Sequence, residues 1–307
     1  MSMTIIKQYK YRLYRSDKRD KYLHHKINIA GLIWNHALAL QKRYYKLTGK
    51  SISKSKMQAH IAKLRMGGVS KYKERPAKQY GKKYTFWQEL DSQATQEVSD
   101  RLYEAWAKFF NKTAGRPRFK KVKKYKSFTL KQSGYKILDD TNCHITGGQN
   151  KGKTHQKSTG HIEIDARDYK FKKHRVLEGK IKTVTVKRDT CNQLWVCYVV
   201  ECELESLKRA TTSKSAGFDF GLKTFLTDSN GKSYKSDEFL KQELDRIRVL
   251  HRSLSRKQVG SKRYKRAQYA LSRAYIRIAD KRTDSHYKLA DQLCKDLGVA
   301  TLRFEKG

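Results

Sequence analysis

The hydrophobic period of this 307-residue chain changes several times, and these changes require both helical and sheet regions. Residues 4–14 alternate loosely between polar and apolar side chains and predict a strand. An apolar stripe with helical spacing follows over residues 17–46, and a shorter helix is predicted around Met57–Arg65. The clearest helix is predicted over residues 90–112, where Asp91 is placed as an N-cap.

Beyond this helix the period becomes that of short strands separated by Gly-, Asn- and Asp-containing turns. The segments that predict strands are SFTLKQ, HIEID, IKTVTVKR and LWVCYVVECEL. Several short antiparallel strands in succession indicate a small barrel. The N-terminal strand would complete that barrel, with the helical region inserted between them.

The pattern changes again after a polar, basic stretch over residues 207–216 that is typical of a linker. AGFDFGL and TFLTDS predict strands, and a type I′ hairpin at Asn230-Gly231 leads to a third strand. Helices are predicted over 237–257 and about 262–297, and a final apolar strand over 299–307. A hairpin, helices and a returning strand indicate a ribonuclease H-like layout.

The chain carries 70 Lys and Arg against 29 Asp and Glu, a formal net charge of +41. Self-repulsion at this charge destabilises a compact protein unless a polyanion neutralises it. No run of apolar residues is long enough to span a membrane, and the N-terminus lacks the apolar core of a secretory signal. The cysteines form no Cys-x-x-Cys pair, so we expect a reduced intracellular protein without a zinc site.

One carboxylate, Asp219, is predicted to lie in a buried strand between two phenylalanines. In a ribonuclease H-like layout the last strand brings Glu305 beside it. Two such carboxylates repel each other unless divalent cations bind between them, and hard oxygen ligands suit Mg²⁺ or Mn²⁺. The plainer alternative is that Asp219 caps a turn or pairs with Lys223.

Two groups of basic residues are candidate nucleic-acid contacts. The first lies between residues 112 and 138, where Phe119, Tyr125, Phe128 and Tyr135 alternate with the cations and would offer stacking faces. Its cations are Arg116, Arg118, Lys120, Lys121, Lys123 and Lys124. The second group lies on the two C-terminal helices and includes Arg256, Lys257, Lys262, Arg263 and Arg266. The aromatic set Trp106, Phe109 and Phe110 is predicted to be plain core.

AGFDFGLKTFLTDSNGK, followed by LSRKQVGSKRYKRAQYALSRAYIRIADKRTDSHYKLADQL, resembles the TnpB family of transposon-encoded RNA-guided DNA endonucleases, which are related to the type V CRISPR effectors. GRPRFKKVKKYKSF, LYEAWAKFF, KQYKYRLYRSDKRDKYL and GLIWNHAL also look like segments of that family. The resemblance extends over essentially the whole chain. Its most specific part is the GFDFG segment.

The resemblance implies a multidomain α+β fold. A wedge-like β-barrel would comprise residues 1–15 and 113–208, with a helical recognition lobe over 16–112 inserted. A linker over 209–212 would lead to an incomplete RuvC, or ribonuclease H-like, nuclease domain over 213–307.

The resemblance also implies site residues. Asp219 matches the first catalytic and metal-binding aspartate, and Glu305 stands where the family has its catalytic glutamate. The family's third acid and zinc ribbon have no counterpart in this sequence. Gln96 and Thr129 match polar positions that contact a short DNA motif beside the target; Gln suits adenine and a Thr methyl suits thymine.

The implied partners are a guide RNA from the transposon end and double-stranded target DNA, with Mg²⁺ or Mn²⁺ as cofactor and no membrane. Three functions stay open: an RNA-guided DNA endonuclease, an RNA-guided DNA-binding protein or repressor without cleavage, and a general basic RNA-binding protein. A second polypeptide supplying the missing acid is a further alternative. We expect a cytoplasmic, nucleoid-associated location in a bacterium or archaeon, and a nuclear one in a eukaryote or virus.

Overall fold

The computed structural model divides the chain into two compact units, residues 1–204 and 205–307. The residues that the structure describes are 4–67, 82–138, 142–144, 154–156, 159–175, 177–203, 217–221, 224–235 and 238–297. The predicted linker over 209–212 and the predicted final strand over 299–307 lie outside these ranges. Each unit is considered by itself below.

The helices of the first unit lie close to their predicted positions. After strand β1 (Thr4–Arg12) come α1 (Asp17–Thr48), α2 (Lys54–Arg65), a 3-10 helix (Lys82–Glu89) and α3 (Ser92–Phe110). Helix α1 ends because Gly49 adopts a φ of 67°, from which its N–H donates to the carbonyl of Tyr45. The Asp91 carboxylate caps α3 as predicted, accepting from the N–H groups of Gln93 and Ala94.

The remaining strands of this unit form antiparallel sheets. They are β2 (Ser127–Leu130), β3 (Tyr135–Ile137), β4 (Asn142–His144), β5 (Thr154–Gln156), β6 (Thr159–Ile164), β7 (Arg167–Lys172), β8 (Lys180–Arg188) and β9 (Leu194–Glu203). Their orders are β1-β9-β8-β2, β3-β6-β7 and β4-β5.

Strand β1 pairs with β9 along its whole length, from Thr4 opposite Glu203 to Arg12 opposite Trp195. This confirms that the N-terminal strand joins the later sheet, with the helices inserted in sequence between β1 and β2. The four-stranded and three-stranded sheets meet at a bridge between Leu13 and Phe171. The strands of the described residues do not close into a ring, so the predicted barrel is not confirmed.

A single hydrophobic core holds the first unit together. Alternate residues of β9, including Val196, Tyr198 and Val200, are buried in the same cluster as the apolar stripes of α1 and α3. Burying such side chains stabilises the fold by roughly 1.5–3 kcal/mol each before the entropy cost of ordering the chain.

The second unit contains a small hairpin sheet and two long helices. Its elements are β10 (Phe218–Asp219), β11 (Leu226–Asp228), β12 (Ser233–Tyr234), α4 (Phe239–Gln242), α5 (Leu244–Ser255) and α6 (Lys262–Leu297). The helix predicted over 237–257 is interrupted at Glu243, and Leu240, predicted to lie on its apolar face, is 43% exposed. Helix α6 has the bounds that its period predicts.

The predicted hairpin after β11 exists, but its turn is of another type. The N–H of Gly231 donates to the carbonyl of Asp228, and Gly231 has a φ of 78° while Asn230 is not among the residues of positive φ. This is a type I turn followed by a left-handed glycine, not a type I′ turn. The Asp228 carboxylate stabilises this turn, because it accepts hydrogen bonds from the N–H groups of Asn230 and Lys232, both at 2.9 Å.

The apolar contacts of the second unit form two small clusters. Ile247 of α5 packs against Leu271, Ala274 and Ile278 of α6. Leu226 and Tyr234 of the hairpin pack with Leu293 near the end of α6. Across both units, no described helix has the length and apolar character needed to cross a bilayer.

Candidate nucleic-acid interface

The chain between α3 and β2, residues 111–126, crosses the surface of α1 and is called the basic segment below. Two side chains of α1 hold its backbone. Trp34 Nε1 donates to the carbonyl of Arg118 at 3.2 Å. Asn35 donates to the carbonyl of Lys120 at 2.8 Å and accepts from the Lys120 N–H at 2.9 Å. These bonds pair the backbone of a stretch that belongs to no sheet.

Arg188, at the end of β8, holds the next part of the basic segment from below. Its guanidinium donates to the carbonyls of Tyr125 at 2.7 Å and Val122 at 2.8 Å, and to Asn28 Oδ1 at 2.8 Å. The side chain is buried, and that burial lowers its pKa. Sequence reasoning missed this residue because nothing in IKTVTVKR distinguishes a buried arginine from a surface one.

The six cations predicted on the basic segment all lie at the surface of the first unit. Within the described part of the chain, Arg118, Lys121, Lys123 and Lys124 have no acidic side chain within ion-pair distance. They are therefore available to phosphates.

The other two cations of the basic segment lie against aromatic rings. Lys120 Nζ lies 3.7 Å from the ring centroid of Trp34, and partial burial there lowers the pKa of Lys120, with Arg101 adding to the effect. The Arg116 guanidinium lies 5.9 Å from the Trp106 ring.

The aromatic residues of this region do not all face solvent as predicted. Tyr125 and Phe128 are buried in the core, so neither offers a stacking face. Tyr125 is held there by contact with Gly31 of α1. Phe119 is 55% exposed, with Lys42 Nζ 4.7 Å from its ring centroid, and Tyr135 is half-buried.

Of the two residues predicted to read DNA, Gln96 is exposed on α3 and Thr129 is buried in β2. The Thr129 hydroxyl accepts from Arg101 and shares a 2.7 Å hydrogen bond with Thr185. Because Thr129 is buried and its hydroxyl already has these two partners, it is not available to contact a base in this structure. Arg101, which the sequence reasoning did not select, lies half-buried beside it.

Asp219 lies in the two-residue strand β10, opposite Thr227 of β11. The prediction of a buried strand between two phenylalanines is wrong, because Asp219 is exposed, Phe218 is half-buried and Phe220 is 55% exposed. Among the described residues, this short strand has too little apolar cover to bury Asp219. Asp228 caps the turn after β11. The alternative that Asp219 caps a turn stays a prediction, because residues 222–223 beside it lie outside the described residues.

A metal site needs several ligands. No group of three or more His, Cys, Asp or Glu side chains comes together among the residues that the structure describes. Glu305 and Lys223, predicted as alternative partners of Asp219, lie outside those residues.

The basic residues of the second unit fall into two classes. Arg256, Lys262, Arg263 and Arg266 are exposed and have no acidic partner among the described residues. Lys257 is different, because its Nζ donates to the carbonyl and hydroxyl oxygens of Ser253 at 2.7 and 2.8 Å and so caps the C-terminal end of α5.

Two family profiles match parts of the chain. The OrfB_IS605 family, described as a probable transposase, matches residues 196–305, and its helix-turn-helix domain matches residues 1–50. Within residues 4–50 the structure has strand β1 and the single long helix α1, so this segment does not form a helix-turn-helix here.

The chain is also similar to two curated proteins. It is 24% identical over 296 residues to a "Putative RNA-guided DNA endonuclease" of Streptomyces pristinaespiralis, covering 96% of this chain and 66% of that protein. It is 24% identical over 265 residues to the "Putative RNA-guided DNA endonuclease InsQ" of Escherichia coli K12, covering 86% of this chain and 57% of that one. The chain thus spans less than two thirds of either relative's length.

Among solved structures, a chain of the cryo-EM structure of the Cas12f1–sgRNA–target DNA complex matches 98% of this chain and 73% of its own length, with 12% identity. The TM-score is 0.31, which is too low to support an argument about fold. The transposase profiles and the two curated relatives agree with the motifs in the sequence and support its resemblance to the TnpB family.

Proposed function

We propose that this chain binds a guide RNA and acts with it on double-stranded DNA, as an RNA-guided DNA endonuclease of the TnpB type. The similarity to the transposase profiles and to the two curated relatives supports this class of function. The structural observation that carries the proposal is the basic segment, whose backbone is fixed by Trp34, Asn35 and Arg188 while its cations face solvent without acidic partners among the described residues. Such a surface suits the phosphates of a folded RNA.

Under this proposal the sheets of the first unit act as the wedge, its helices act as the recognition lobe, and the second unit acts as the RuvC nuclease. The exposed Gln96 is the candidate for reading a short DNA motif beside the target, since a Gln amide can bond adenine at two positions. The cations of α5 and α6, chiefly Arg256, Lys262, Arg263 and Arg266, would hold the guide–target duplex through its backbone. The protein would act where the cell's DNA lies.

Cleavage in this class of nuclease relies on Mg²⁺ or Mn²⁺ held by carboxylates. Asp219 fits one such ligand, because its side chain is exposed at the end of β10 and no ion pair occupies it among the described residues. Glu305 would supply the second. The bound ion would activate water and stabilise the leaving oxygen of the phosphodiester, while Asp219 and Glu305 would fix its position.

A second candidate function is RNA-guided DNA binding without cleavage. It is favoured by one observation, that the described residues bring no third carboxylate or histidine together with Asp219. The two curated relatives carry the rest of their length on the same polypeptide, so we do not propose a second chain as the source of a further ligand.

The test is to incubate the protein with its co-expressed RNA and a matched DNA duplex, with and without Mg²⁺. We expect wild type to cleave the duplex, and Asp219→Asn to bind it with unchanged affinity but not cleave it. Asp245→Asn is a matched control, because Asp245 is an exposed carboxylate of the same unit and pairs only with Arg248 among the described residues. Binding without cleavage by wild type would favour the second candidate. Binding that ignores guide sequence would leave only a general basic RNA-binding protein.

A further inference from the structure

A pocket of about 280 Å³ lies where the end of α3 meets α1 and the start of the basic segment. We call it the α3 pocket. It is lined by Trp106, Phe109 and Phe110 of α3, by Gln41, Lys42 and Tyr45 of α1, and by Ser51 and Arg116. It lies within the first unit and shares no lining residue with the predicted nuclease site.

The three aromatic side chains that α3 contributes to the α3 pocket are not the plain core that the sequence predicts. Phe110 is 66% exposed, and Trp106 and Phe109 are half-buried. The Trp106 and Phe110 rings lie 5.9 Å apart with an interplanar angle of 25°, and Phe109 meets Trp106 edge-on at 5.8 Å. Large aromatic rings left open in this way need an explanation other than packing, and a stacked planar ligand supplies one.

Two of the residues that line the α3 pocket each carry a buried polar atom without a hydrogen-bond partner. Gln41 is only 6% exposed, and its Oε1 is buried and unpaired. Trp106 Nε1 is buried and unpaired as well. Unpaired buried polar groups are rare because each has lost water without replacing it. One acceptor and one donor beside an aromatic wall match the edge of a nucleobase, which carries both.

The charge around the pocket is positive. The Arg116 guanidinium lies over the Trp106 ring, and Lys42 lines the same pocket. None of the described residues that line the α3 pocket is acidic. A ligand with a phosphate beside its planar group is therefore favoured over a neutral aromatic molecule.

We propose that the α3 pocket takes one unpaired nucleotide of the guide RNA. The base stacks against the exposed Phe110 ring and offers its edge to Gln41 Oε1 and Trp106 Nε1, and the phosphate pairs with Arg116 and Lys42. RNA is the favoured source because its loops and bulges present unstacked bases, whereas the bases of a DNA duplex are stacked and paired. The two buried polar atoms are shielded from water, so the rim of the pocket has to open before a base can reach them. The most exposed aromatic side chain at that rim is Phe110.

This inference rests on the proposed function for its RNA partner, but its test is separate. The probe is the co-expressed RNA transcribed with 4-thiouridine, crosslinked to the full chain by ultraviolet light and mapped by mass spectrometry. We expect crosslinks on the peptide that holds Phe109 and Phe110. Phe110→Leu should reduce those crosslinks and weaken RNA binding by roughly five- to a hundredfold, the range found for losing one stacked base. Phe110→Tyr, which keeps the ring, should restore both.

Tyr44→Leu is the matched control, because Tyr44 is a partly exposed aromatic residue of α1 outside the α3 pocket. It should leave crosslinks and affinity unchanged. Equal losses in Phe110→Leu and Tyr44→Leu would overturn the proposal, as would RNA bound without any crosslink at the α3 pocket; guide-RNA binding itself would then still stand. Crosslinks obtained only with 4-thiothymidine DNA would overturn the assignment to RNA. If the protein fails to cleave DNA but still crosslinks to RNA at the α3 pocket, the proposed nucleotide site is supported and only the proposed nuclease activity is contradicted.

Discussion

The two basic surfaces of this protein are built in different ways. The basic segment of the first unit is irregular chain, and its shape depends on hydrogen bonds from Trp34, Asn35 and Arg188 to its carbonyls. The cations of the second unit lie on α5 and α6, where the helix itself satisfies the backbone. The packing beneath them is a small cluster centred on Ile247 and Leu271.

This difference predicts where each surface is vulnerable. A helix keeps its cations in place as long as a few apolar contacts hold it, so single polar changes there should matter little. Apart from one 3-10 turn at Val122–Lys124, the basic segment has no such internal support, and removing a buried donor leaves acceptors such as the Tyr125 carbonyl without a partner. The predictions below test this contrast, in order of expected effect on the free energy of unfolding.

The largest effect is expected from Arg188→Ala. The change removes a donor to the carbonyls of Tyr125 and Val122 and to Asn28 Oδ1, and should cost roughly 1–3 kcal/mol for each buried acceptor left without a partner. Urea unfolding followed by circular dichroism measures it, and RNA binding should fall as the basic segment loosens. The control is Arg256→Ala in the second unit, where the exposed side chain should cost less than about 0.5 kcal/mol. Similar losses in both variants would break the contrast.

Gly31→Ala should destabilise the first unit by roughly 1–3 kcal/mol, the usual cost of overpacking a core. A Cβ at residue 31 would lie 2.9 Å from the Cβ of Tyr125, which cannot yield without moving the basic segment off α1. Gly115→Ala in the same segment is the control, because its Cβ would meet nothing within 4 Å. Thermal unfolding compares the two. A Gly31→Ala protein as stable as Gly115→Ala would show that Tyr125 is not fixed there.

Lowering the pH should reduce the free energy of unfolding of the first unit but not of the second. The expected loss is on the order of 1–2 kcal/mol, after allowing for the partial exposure of His36 and His60. Burial, with His60 and Arg43 nearby, lowers the pKa of His36 to about 4, and burial lowers the pKa of His60 as well. A histidine whose folded pKa is lowered favours folding fully above its unfolded pKa of about 6.5. That contribution is lost as pH falls from about 6.5 to about 4.

Urea unfolding at several pH values between 7.5 and 4 measures this loss. His36→Gln should flatten the pH dependence, whatever its effect at neutral pH. His286→Gln, at an exposed histidine of the second unit, should leave the pH dependence unchanged. A wild-type slope that survives His36→Gln would assign the acid sensitivity to other groups.

The smallest effect on stability, under about 0.5 kcal/mol, is expected from removing exposed charge. A variant with all four of Arg118, Lys121, Lys123 and Lys124 changed to Gln should bind RNA with a weaker salt dependence. The slope of log affinity against log salt concentration should fall by roughly 2–3, at about 0.7 per lost phosphate contact. The same change of Arg256, Lys262, Arg263 and Arg266 should act chiefly after target DNA is added. If both sets of substitutions weakened RNA binding equally before DNA is added, the proposal that the first set binds RNA and the second set binds the guide–target duplex would be wrong.

The sequence predicted the elements of both units well where one local signal decides them. The N-cap Asp91, the period of α6 and the strand LWVCYVVECEL needed only local propensity and spacing. It predicted less well where burial decides. Asp219 was expected in a buried strand and is exposed, and the three aromatics at the end of α3 were expected in the core and line a pocket.

The candidate site shows the same division. Its cations were visible in the sequence, because a run of Lys and Arg without acids is a local feature. The sequence did not indicate Arg188, which donates hydrogen bonds to the basic segment, or Gln41, which lines the α3 pocket. Each of these residues lies far along the chain from its partners.

The sequence by itself therefore determined the resemblance to the TnpB family, the excess positive charge, the order of the main helices and strands and the identity of the candidate acid Asp219. Periodicity, composition and motif depend only on neighbours along the chain. Tertiary structure alone decided which cations are held rigidly, that Tyr125 is core and not a stacking face, and that Trp106, Phe110 and Gln41 share one pocket. Those outcomes depend on which distant surfaces meet and exclude water, and no local pattern encodes that.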